Sequence, residues 1–362
     1  MKLYGYDWPQ GGRKQVVYVN DQGHVIELQE GLDIPWESAD LTELTGAPPA
    51  GGIDLVGYAW SAEGTKQVAY VDNRQHVIEL VGSAGKPWQW ADLSELTGAP
   101  LPSSTSLVGY DWYNGKTKQV DYVDGRGHVI ELFVAGKTPW QWADLTELTE
   151  APPPGDTALV GYDWSRGDTK QVDYVDGRGH VIELFVAEGN LWQWADLTEL
   201  TGAPLPGDTH LVGYAWSAGG TKQVVYVDGR GHVIELFVAV GDPWQWVDLT
   251  ELTGAPLTVQ ESLVGYDWLN GNTKQVVYAD DQGHVIELLV AVGNPWQCTD
   301  LTALTGAPLF HLKPLSGYCS VWGATKQVVY ADDEGQVIEL WSGLGGQWHY
   351  AILLQSAARR PI

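Results

Sequence analysis

The chain of 362 residues has little cysteine, and it lacks the motifs by which most enzymes are recognised. Its two cysteines, Cys298 and Cys319, are too few for a disulfide framework or a four-ligand zinc site, and the sequence leaves open whether they pair with each other. There is no Gly-x-Ser-x-Gly, no His-Glu-x-x-His, no P-loop and no Cys-x-x-Cys. We therefore expect no enzymatic activity.

Basic residues are also scarce. With 20 Lys and Arg against 46 Asp and Glu, the net charge is −26. The electrostatic field of this charge repels polyphosphates and anionic lipid surfaces. No run of 18 apolar residues occurs, and the first residues lack the apolar core of a signal peptide. We expect no nucleic-acid partner and no membrane insertion. The default location is cytoplasmic, with later non-classical release left open.

What the chain has instead is one unit repeated seven times. A Gly-Tyr pair recurs every 52 residues, at Gly5, Gly57, Gly109, Gly161, Gly213, Gly265 and Gly317, and 7 × 52 = 364 nearly equals the chain length. Lys-Gln-Val and Val-Ile-Glu-Leu each recur seven times. The predicted repeats of this single domain are 3–54, 55–106, 107–158, 159–210, 211–262, 263–314 and 315–362.

Each unit is predicted to contain four short strands. In the third unit these are Leu107–Trp112, Thr117–Asp124, His128–Val134 and Trp140–Leu145, all rich in Val, Ile, Tyr and Trp. The second and third strands are apolar on both faces and need cover on both sides. Radially stacked units provide it, and this repeat length is typical of propeller blades. The sequence predicts an all-β, seven-bladed β-propeller with four antiparallel strands per blade. A linear solenoid is the alternative.

Two features that resemble metal sites are interpreted as structural. The turn Asp124-Gly125-Arg126-Gly127 has one recurrent carboxylate, too few for a calcium loop. The histidine that follows each turn is replaced by Gln336 in the last unit, which favours a structural hydrogen bond over metal binding. We expect neither a metal nor a cofactor.

One rim of each blade collects aromatic and polar side chains. In an up-and-down blade, the end of the first strand, the start of the second and the end of the third meet there. An odd-numbered hairpin loop places the Gln of the second strand and the Glu of the third on one face. Asp121 and Asp173 share this face in two units. Because two carboxylates are costly in a dry core, we expect the face to be partly wet.

The candidate sugar-binding residues follow from this rim. They are Trp8, Gln15 and Glu27; Trp60, Gln67 and Glu79; Trp112, Gln119, Asp121 and Glu131; Trp164, Gln171, Asp173 and Glu183; Trp216, Gln223 and Glu235; Trp268, Gln275 and Glu287; and Gln327 and Glu339. For the Trp residues, blade packing is the favoured alternative to ligand contact. The Glu residues are equally open to a structural partnership with a nearby Lys or Gln.

The repeat combines a strand that ends in Trp, an x-Gln-Val-Val-Tyr strand, a Gly-His-Val-Ile-Glu-Leu strand and a Trp in the fourth strand. With these motifs it resembles the repeats of the fungal fucose-specific lectin superfamily and its bacterial Trp-rich relatives. The resemblance implies a sugar pocket between adjacent blades, formed by an Arg from the second strand, a Glu from the third strand and aromatic residues. The Glu matches Glu27 and its six copies. Gln15 and its copies occupy the place of the Arg, and a neutral amide does not reproduce a guanidinium fork.

The sequence thus predicts a monomeric lectin that binds glycans or glycoconjugates at repeated sites on one rim. Weak sites gain avidity when ligands are clustered. Since Ser320 replaces the first Trp in the seventh unit, that site is expected to be the weakest. The alternative is a non-catalytic propeller with a protein-interaction or structural role.

Overall fold

A computed structural model describes residues 2–31, 34–156, 158–258 and 262–354. These residues form seven four-stranded antiparallel sheets, each built from one continuous stretch of chain in the order in which its strands occur. Sequence-adjacent strands pair throughout, so each sheet is an up-and-down meander. This is the predicted seven-bladed β-propeller.

The blades have the following elements. Blade 1 contains β1 (Leu3–Trp8), β2 (Arg13–Val19), β3 (Val25–Gly31), β4 (Ile34–Asp40) and α1 (Leu41–Thr45). Blade 2 contains β5 (Ala50–Trp60), β6 (Thr65–Asp72), β7 (Val77–Gly82), β8 (Gln89–Asp92) and α2 (Leu93–Thr97). Blade 3 contains β9 (Pro102–Trp112), β10 (Thr117–Asp124), β11 (Val129–Ala135), β12 (Gln141–Asp144) and α3 (Leu145–Thr149). Blade 4 contains β13 (Val160–Trp164), β14 (Thr169–Val175), β15 (Val181–Ala187), β16 (Gln193–Asp196) and α4 (Leu197–Thr201).

Blade 5 contains β17 (Pro206–Trp216), β18 (Thr221–Asp228), β19 (Val233–Ala239), β20 (Gln245–Asp248) and α5 (Leu249–Thr253). Blade 6 contains β21 (Val264–Trp268), β22 (Thr273–Ala279), β23 (Val285–Ala291), β24 (Gln297–Asp300) and α6 (Leu301–Thr305). Blade 7 contains β25 (Leu312–Ser320), β26 (Thr325–Ala331), β27 (Val337–Gly343) and β28 (Trp348–Leu354). Two single 3-10 turns, Pro9–Gly11 and Leu269–Gly271, join the first two strands of blades 1 and 6.

The Gly-Tyr pair is explained by the contact between neighbouring inner strands. A Cβ added at Gly109 would lie 2.5 Å from the ring of Tyr58 in the preceding blade. All seven of these glycines face a Tyr ring in this way, at 2.2–2.6 Å. The series includes Gly5 of blade 1 against Tyr318 of blade 7, so the ring is closed and the solenoid alternative is excluded.

The hydrophobic core lies between blades rather than within them. Val120, Tyr122 and Leu132 of blade 3 pack against Val71 and Leu93 of blade 2, and comparable clusters occupy the other interfaces. Tyr122 and Leu132 are fully buried. Both faces of the central strands are therefore covered, as their sequence pattern predicts.

Polar side chains fix the turns at the rim opposite the predicted sugar-binding rim. Asp144 caps α3 by accepting a hydrogen bond from the Glu147 amide at 2.9 Å, and its other oxygen lies 2.8 Å from His128 Nδ1. Arg126 donates to both Asp124 and Asp144, at 2.9 and 2.8 Å. The histidine and the Asp-Gly-Arg-Gly turn thus have the structural role expected of them. Among the described residues, no group of His, Cys, Asp and Glu could hold a metal ion.

The first strands of some blades are longer than predicted. β5, β9 and β17 begin at Ala50, Pro102 and Pro206, several residues before the Gly-Tyr core of the strand, and a bulge separates the two parts. By contrast, β10 has the predicted limits. In the described part of the chain, no helix is long and apolar enough to cross a membrane.

Candidate functional site

Each junction between two blades contains a lysine held by a glutamate and one or more aromatic rings, an arrangement called here the lysine box. The lysine is buried at six junctions and half-buried, as Lys14, at the junction between blades 7 and 1. Lys118 of blade 3 is representative. Its Nζ donates to Glu79 of blade 2 at 2.6 Å and lies 5.1 Å from the ring centroids of both Trp60 and Trp140. The box therefore joins the first Trp and the Glu of one blade to the Lys and the second Trp of the next, which in blade 3 directly precedes the fourth strand.

The lysine box recurs around the whole ring. The ion pairs, each between one blade's Glu and the next blade's Lys, are Glu27–Lys66, Glu79–Lys118, Glu131–Lys170, Glu183–Lys222, Glu235–Lys274, Glu287–Lys326 and Glu339–Lys14. Phe133, Phe185 and Phe237 add a third ring in three boxes. Among the described residues, Trp36 is the one ring over Lys14, because Ser320 replaces the first Trp of blade 7.

The sequence pattern explains why Lys and Glu from different blades meet. The strand register pairs Val17 with Glu27 and Gln15 with Gln29, so Gln15 and Glu27 share a face, as predicted. Lys14 lies on the opposite face of the same strand. One face of each blade therefore presents Glu to the next blade, and the other presents Lys to the preceding blade. The partner of each Glu is the next blade's Lys.

Burial makes these pairs important to the interface. Glu131 is 2% exposed, and burial raises its pKa, whereas the Lys170 charge lowers it. Burial likewise lowers the pKa of Lys66 and Lys326, and their Glu partners oppose this shift. Removing one member of such a pair typically costs about 3–5 kcal/mol, because the other is left buried without a partner. Rings within about 6 Å of the ammonium add cation–π attraction.

Small cavities open beside several boxes. A cavity of about 270 Å³ between blades 1 and 2 is lined by Trp8, Lys66 and Trp88. One of about 280 Å³ between blades 5 and 6 contains the equivalent residues Trp216, Lys274 and Trp296, together with Glu235. One of about 320 Å³ between blades 7 and 1 is lined by Lys14, Trp36 and Glu339. These cavities are the concave spaces in which box residues meet solvent.

The first Trp of each unit is both a packing residue and a wall of the box. Trp112 is 7% exposed, and a Cβ at Gly115 in the following loop would lie 2.3 Å from its ring. Trp8, Trp164, Trp216 and Trp268 have the same contact with Gly11, Gly167, Gly219 and Gly271. The packing role is therefore confirmed, and contact of these Trp residues with a sugar stays a prediction.

The structure places the glutamines away from the cavities. Gln119 is fully buried, and its Nε2 donates to Thr117 two residues earlier in the strand. The candidates Gln15, Gln67, Gln119, Gln171, Gln223, Gln275 and Gln327 are all 0% exposed. In blade 1, Arg13 occupies the position of the Thr, and neither amide atom of Gln15 has a partner among the described residues. In the fold the Gln side chains are interior groups, and Lys is the residue that faces the Glu.

The expectation of a partly wet face is wrong for the two units that prompted it. Asp121 and Asp173 are 0% exposed and lie directly across the strand from Glu131 and Glu183. Burial, and then repulsion from the neighbouring Glu, raises the pKa of each Asp well above its ordinary value. Burial and this repulsion therefore both favour the protonated form of each Asp. Neither Asp extends into a cavity as an additional acceptor.

Sequence reasoning omitted two members of the box from the candidate site. These are the strand-two Lys and the Trp at or directly before the fourth strand, as in Lys118 and Trp140. A signal was present, because a Lys recurs in all seven units within strands that must be buried on both faces. A buried Lys requires a carboxylate, and the only carboxylate that recurs in the strands of every unit is the Glu of Val-Ile-Glu-Leu.

Comparison with known proteins identifies the fold. No protein-family model matches the sequence, and no curated protein matches it. Among solved structures, the BP39L lectin of Burkholderia pseudomallei is similar over 96% of this chain and 97% of its own, with a TM-score of 0.70 and 14% identity. The AofleA protein of Arthrobotrys oligospora has a TM-score of 0.56 at 14% identity, covering 81% of this chain and 83% of its own.

A six-bladed fungal lectin from Aleuria aurantia, described as having a novel fucose recognition mode, is also similar. It has a TM-score of 0.52 at 12% identity and covers 85% of this chain and 96% of its own. The resemblance seen in the sequence therefore extends to the structure, and the chain shares the fold of lectin propellers, with seven blades where the Aleuria lectin has six.

Proposed function

We propose that this chain is a multivalent carbohydrate-binding protein whose sites are the cavities beside the lysine boxes. The observation that carries this proposal is the junction between blades 5 and 6, where a cavity of about 280 Å³ is lined by Trp216, Trp296, Phe237, Lys274 and Glu235. Ligand sites are typically concave and mostly apolar, with a few convergent polar groups. A sugar ring offers a matching surface, with an apolar face for indole and hydroxyl groups for charged side chains.

The Lys–Glu pair is suited to hydroxyl recognition because it supplies both kinds of partner. An ammonium has three donors, and a carboxylate has about four acceptor sites. Lys274 donates to both oxygens of Glu235, at 2.7 and 2.8 Å, which leaves at least one donor of the ammonium for a hydroxyl. Charge-assisted hydrogen bonds to neighbouring hydroxyls are stronger than neutral ones. This arrangement also revises what the resemblance implies, because the cation opposite each Glu is a Lys of the next blade.

Repetition around the ring supports multivalency. The box occurs at every junction, and a surface that displays clustered glycans can engage several boxes at once. Each box is completed by neighbouring blades of one chain, so we expect a monomer. The central channel offers a less favourable site, since it is lined mainly by Gly, Val and Leu of the first strands.

A structural role for the boxes is the second candidate, and one observation favours it. Lys118 and Glu79 are 4% and 2% exposed, so the pair already stabilises the blade interface without a ligand. On this alternative the propeller is a non-catalytic scaffold or protein-interaction module, and the cavities are packing defects beside the ion pairs.

A glycan array followed by titration tests the proposal. The purified chain is expected to bind a defined subset of glycans, and Glu235→Gln is expected to reduce the number of monosaccharides bound per chain by one. Glu251→Gln, which makes the same change on the exposed face of α5, is the matched control. Replacing all seven box glutamates by Gln should abolish binding, with circular dichroism to verify the fold. Retention of full binding by that folded variant, or no glycan binding by the native chain, would overturn the proposal.

A further inference from the structure

The junction between blades 1 and 2 differs from the others in charge. Its cavity is lined by three cationic side chains, Arg13, Lys66 and Lys86, together with the two rings Trp8 and Trp88. Gln29 and Ser83 also line it. In a chain whose net charge is −26, this concentration of positive charge requires an explanation.

The junction between blades 5 and 6 is a matched reference, because its positions are 208 residues further along the chain. Both cavities contain the Trp pair and the box Lys. Thr221 and Phe237 stand at the positions of Arg13 and Gln29, and Asn294 at that of Lys86. Both junctions contain a box Lys paired with its Glu, but the compared positions beside that pair are apolar or neutral in one junction and include two further cations in the other, on the same backbone framework.

The added cations are not neutralised by ion pairs within the described residues. Lys66 is paired with Glu27 at 2.6 Å, but neither Arg13 nor Lys86 has a carboxylate partner in the described part of the chain. Burial has the largest effect on the box pair, because it raises the pKa of Glu27 and lowers the pKa of Lys66. The positive charge of Arg13 lowers the pKa of both groups, so Arg13 also acts on the box itself. Arg13 also borders the cavity between blades 7 and 1, where Glu30 and Glu339 both pair with Lys14. Neither of these two carboxylates forms an ion pair with Arg13, so its guanidinium can still bind an anion on the blade 2 side.

We propose that the junction between blades 1 and 2 binds an acidic sugar, one that carries a carboxylate or a sulfate. This rests on the proposed function and assigns a ligand class to one of its sites. The ring packs against Trp8 and Trp88, and the anionic group lies between Arg13 and Lys86. A guanidinium presents a planar fork that matches a carboxylate or sulfate, and an ammonium adds a point charge. Gln29 and Ser83 supply neutral partners for ring hydroxyls.

Titrations with simple glycosides test this assignment. The probes are methyl glucuronide, glucose 6-sulfate and methyl glucoside, which share one ring and differ in the charged group. The variant Arg13→Thr/Lys86→Asn introduces the residues of the junction between blades 5 and 6. We expect its affinity for the charged probes to fall at least about 10-fold, since hydrogen bonds to charged groups contribute about 1.5–3 kcal/mol each. Arg166→Thr/Lys137→Asn removes the same charges from exposed positions and should leave this affinity unchanged.

The converse variant transfers the site. Thr221→Arg/Phe237→Gln/Asn294→Lys gives the junction between blades 5 and 6 the residues of the first junction. It should raise the number of bound glucuronide molecules from one to two per chain. The charged probes should also bind more weakly as salt is added, because screening weakens exposed electrostatic interactions.

The outcomes separate this inference from the proposed function. If glucoside binds and glucuronide binds no better, or if Arg13→Thr/Lys86→Asn binds glucuronide as the native chain does, the acidic-sugar site is refuted and the lectin assignment stands. If inorganic sulfate competes as well as glucose 6-sulfate, the site recognises an anion without its sugar, and the inference is again wrong. If none of the probes binds and the glycan array is blank, both proposals fail.

Discussion

Replacing Asp121 and Asp173 by Val is expected to stabilise the ring by an amount that grows with pH. Val occupies the same position in four other blades, as Val17, Val225, Val277 and Val329, so the side chain is suited to this environment. Both Asp residues are fully buried, and their pKa is raised well above the ordinary value, chiefly by burial. The folded protein therefore holds protons that the unfolded chain releases above about pH 3.9.

The sign and size of the effect follow from this difference. The protonated carboxyls contribute their full stability below about pH 4, and that stability is lost as pH rises towards the folded pKa. Each pH unit in this window costs about 1.4 kcal/mol per Asp, or about 2.7 kcal/mol for both. An unfolding entropy of about 2.1 cal/mol/K per residue gives about 0.76 kcal/mol/K for a 362-residue ring that unfolds as one unit. The gap in Tm between the double variant and the native chain should thus widen by about 3.5 °C per pH unit.

Thermal melts from pH 4 to pH 8 at constant ionic strength measure this gap. Val225→Asp, which introduces a buried carboxyl group at the same position of blade 5, is the matched control and should lower Tm increasingly as pH rises. Parallel Tm curves for the native chain and Asp121→Val/Asp173→Val across this range would refute the reasoning. So would a double variant that is less stable than the native chain at every pH.

The remaining predictions concern the ion pairs, the inner strands and metal independence. Lys170→Met should lower the free energy of unfolding by about 3–5 kcal/mol in denaturant titrations, because Glu131 is left buried and unpaired. Adding Glu131→Gln should restore most of this loss. An effect of the single variant below about 1 kcal/mol would contradict the role of the ion pair in the blade interface. Gly109→Ala should lower Tm because the new Cβ would meet the Tyr58 ring at 2.5 Å, whereas Gly125→Ala, with nothing within 4 Å, should be neutral; equal effects would count against close inner-strand packing. Melts with and without chelator should coincide, and a loss of many degrees on chelation would reveal a metal requirement.

Much of the fold could be predicted from local sequence. The constant 52-residue period gave the number of blades, and the both-face apolar pattern of strands such as Thr117–Asp124 required cover from neighbouring blades. The Asp144 cap and the turn before His128 were likewise predictable, because caps and turns depend on residues a few positions apart. The longer β5, β9 and β17 were missed because their added residues pair across a bulge.

The sequence by itself determined the repeat, the strands and which side chains share a face of each strand, since alternation along a strand is a local property. It placed Gln15 with Glu27 for this reason, and the register agrees. Only the tertiary structure decided what each face meets, because the partner of Glu27 is Lys66, 39 residues away in the next blade. The dryness of the Asp121 face and the cation excess at Arg13 were decided in the same way. Burial and charge balance depend on how two blades pack together, and the spacing of residues within one repeat does not encode the contacts between blades.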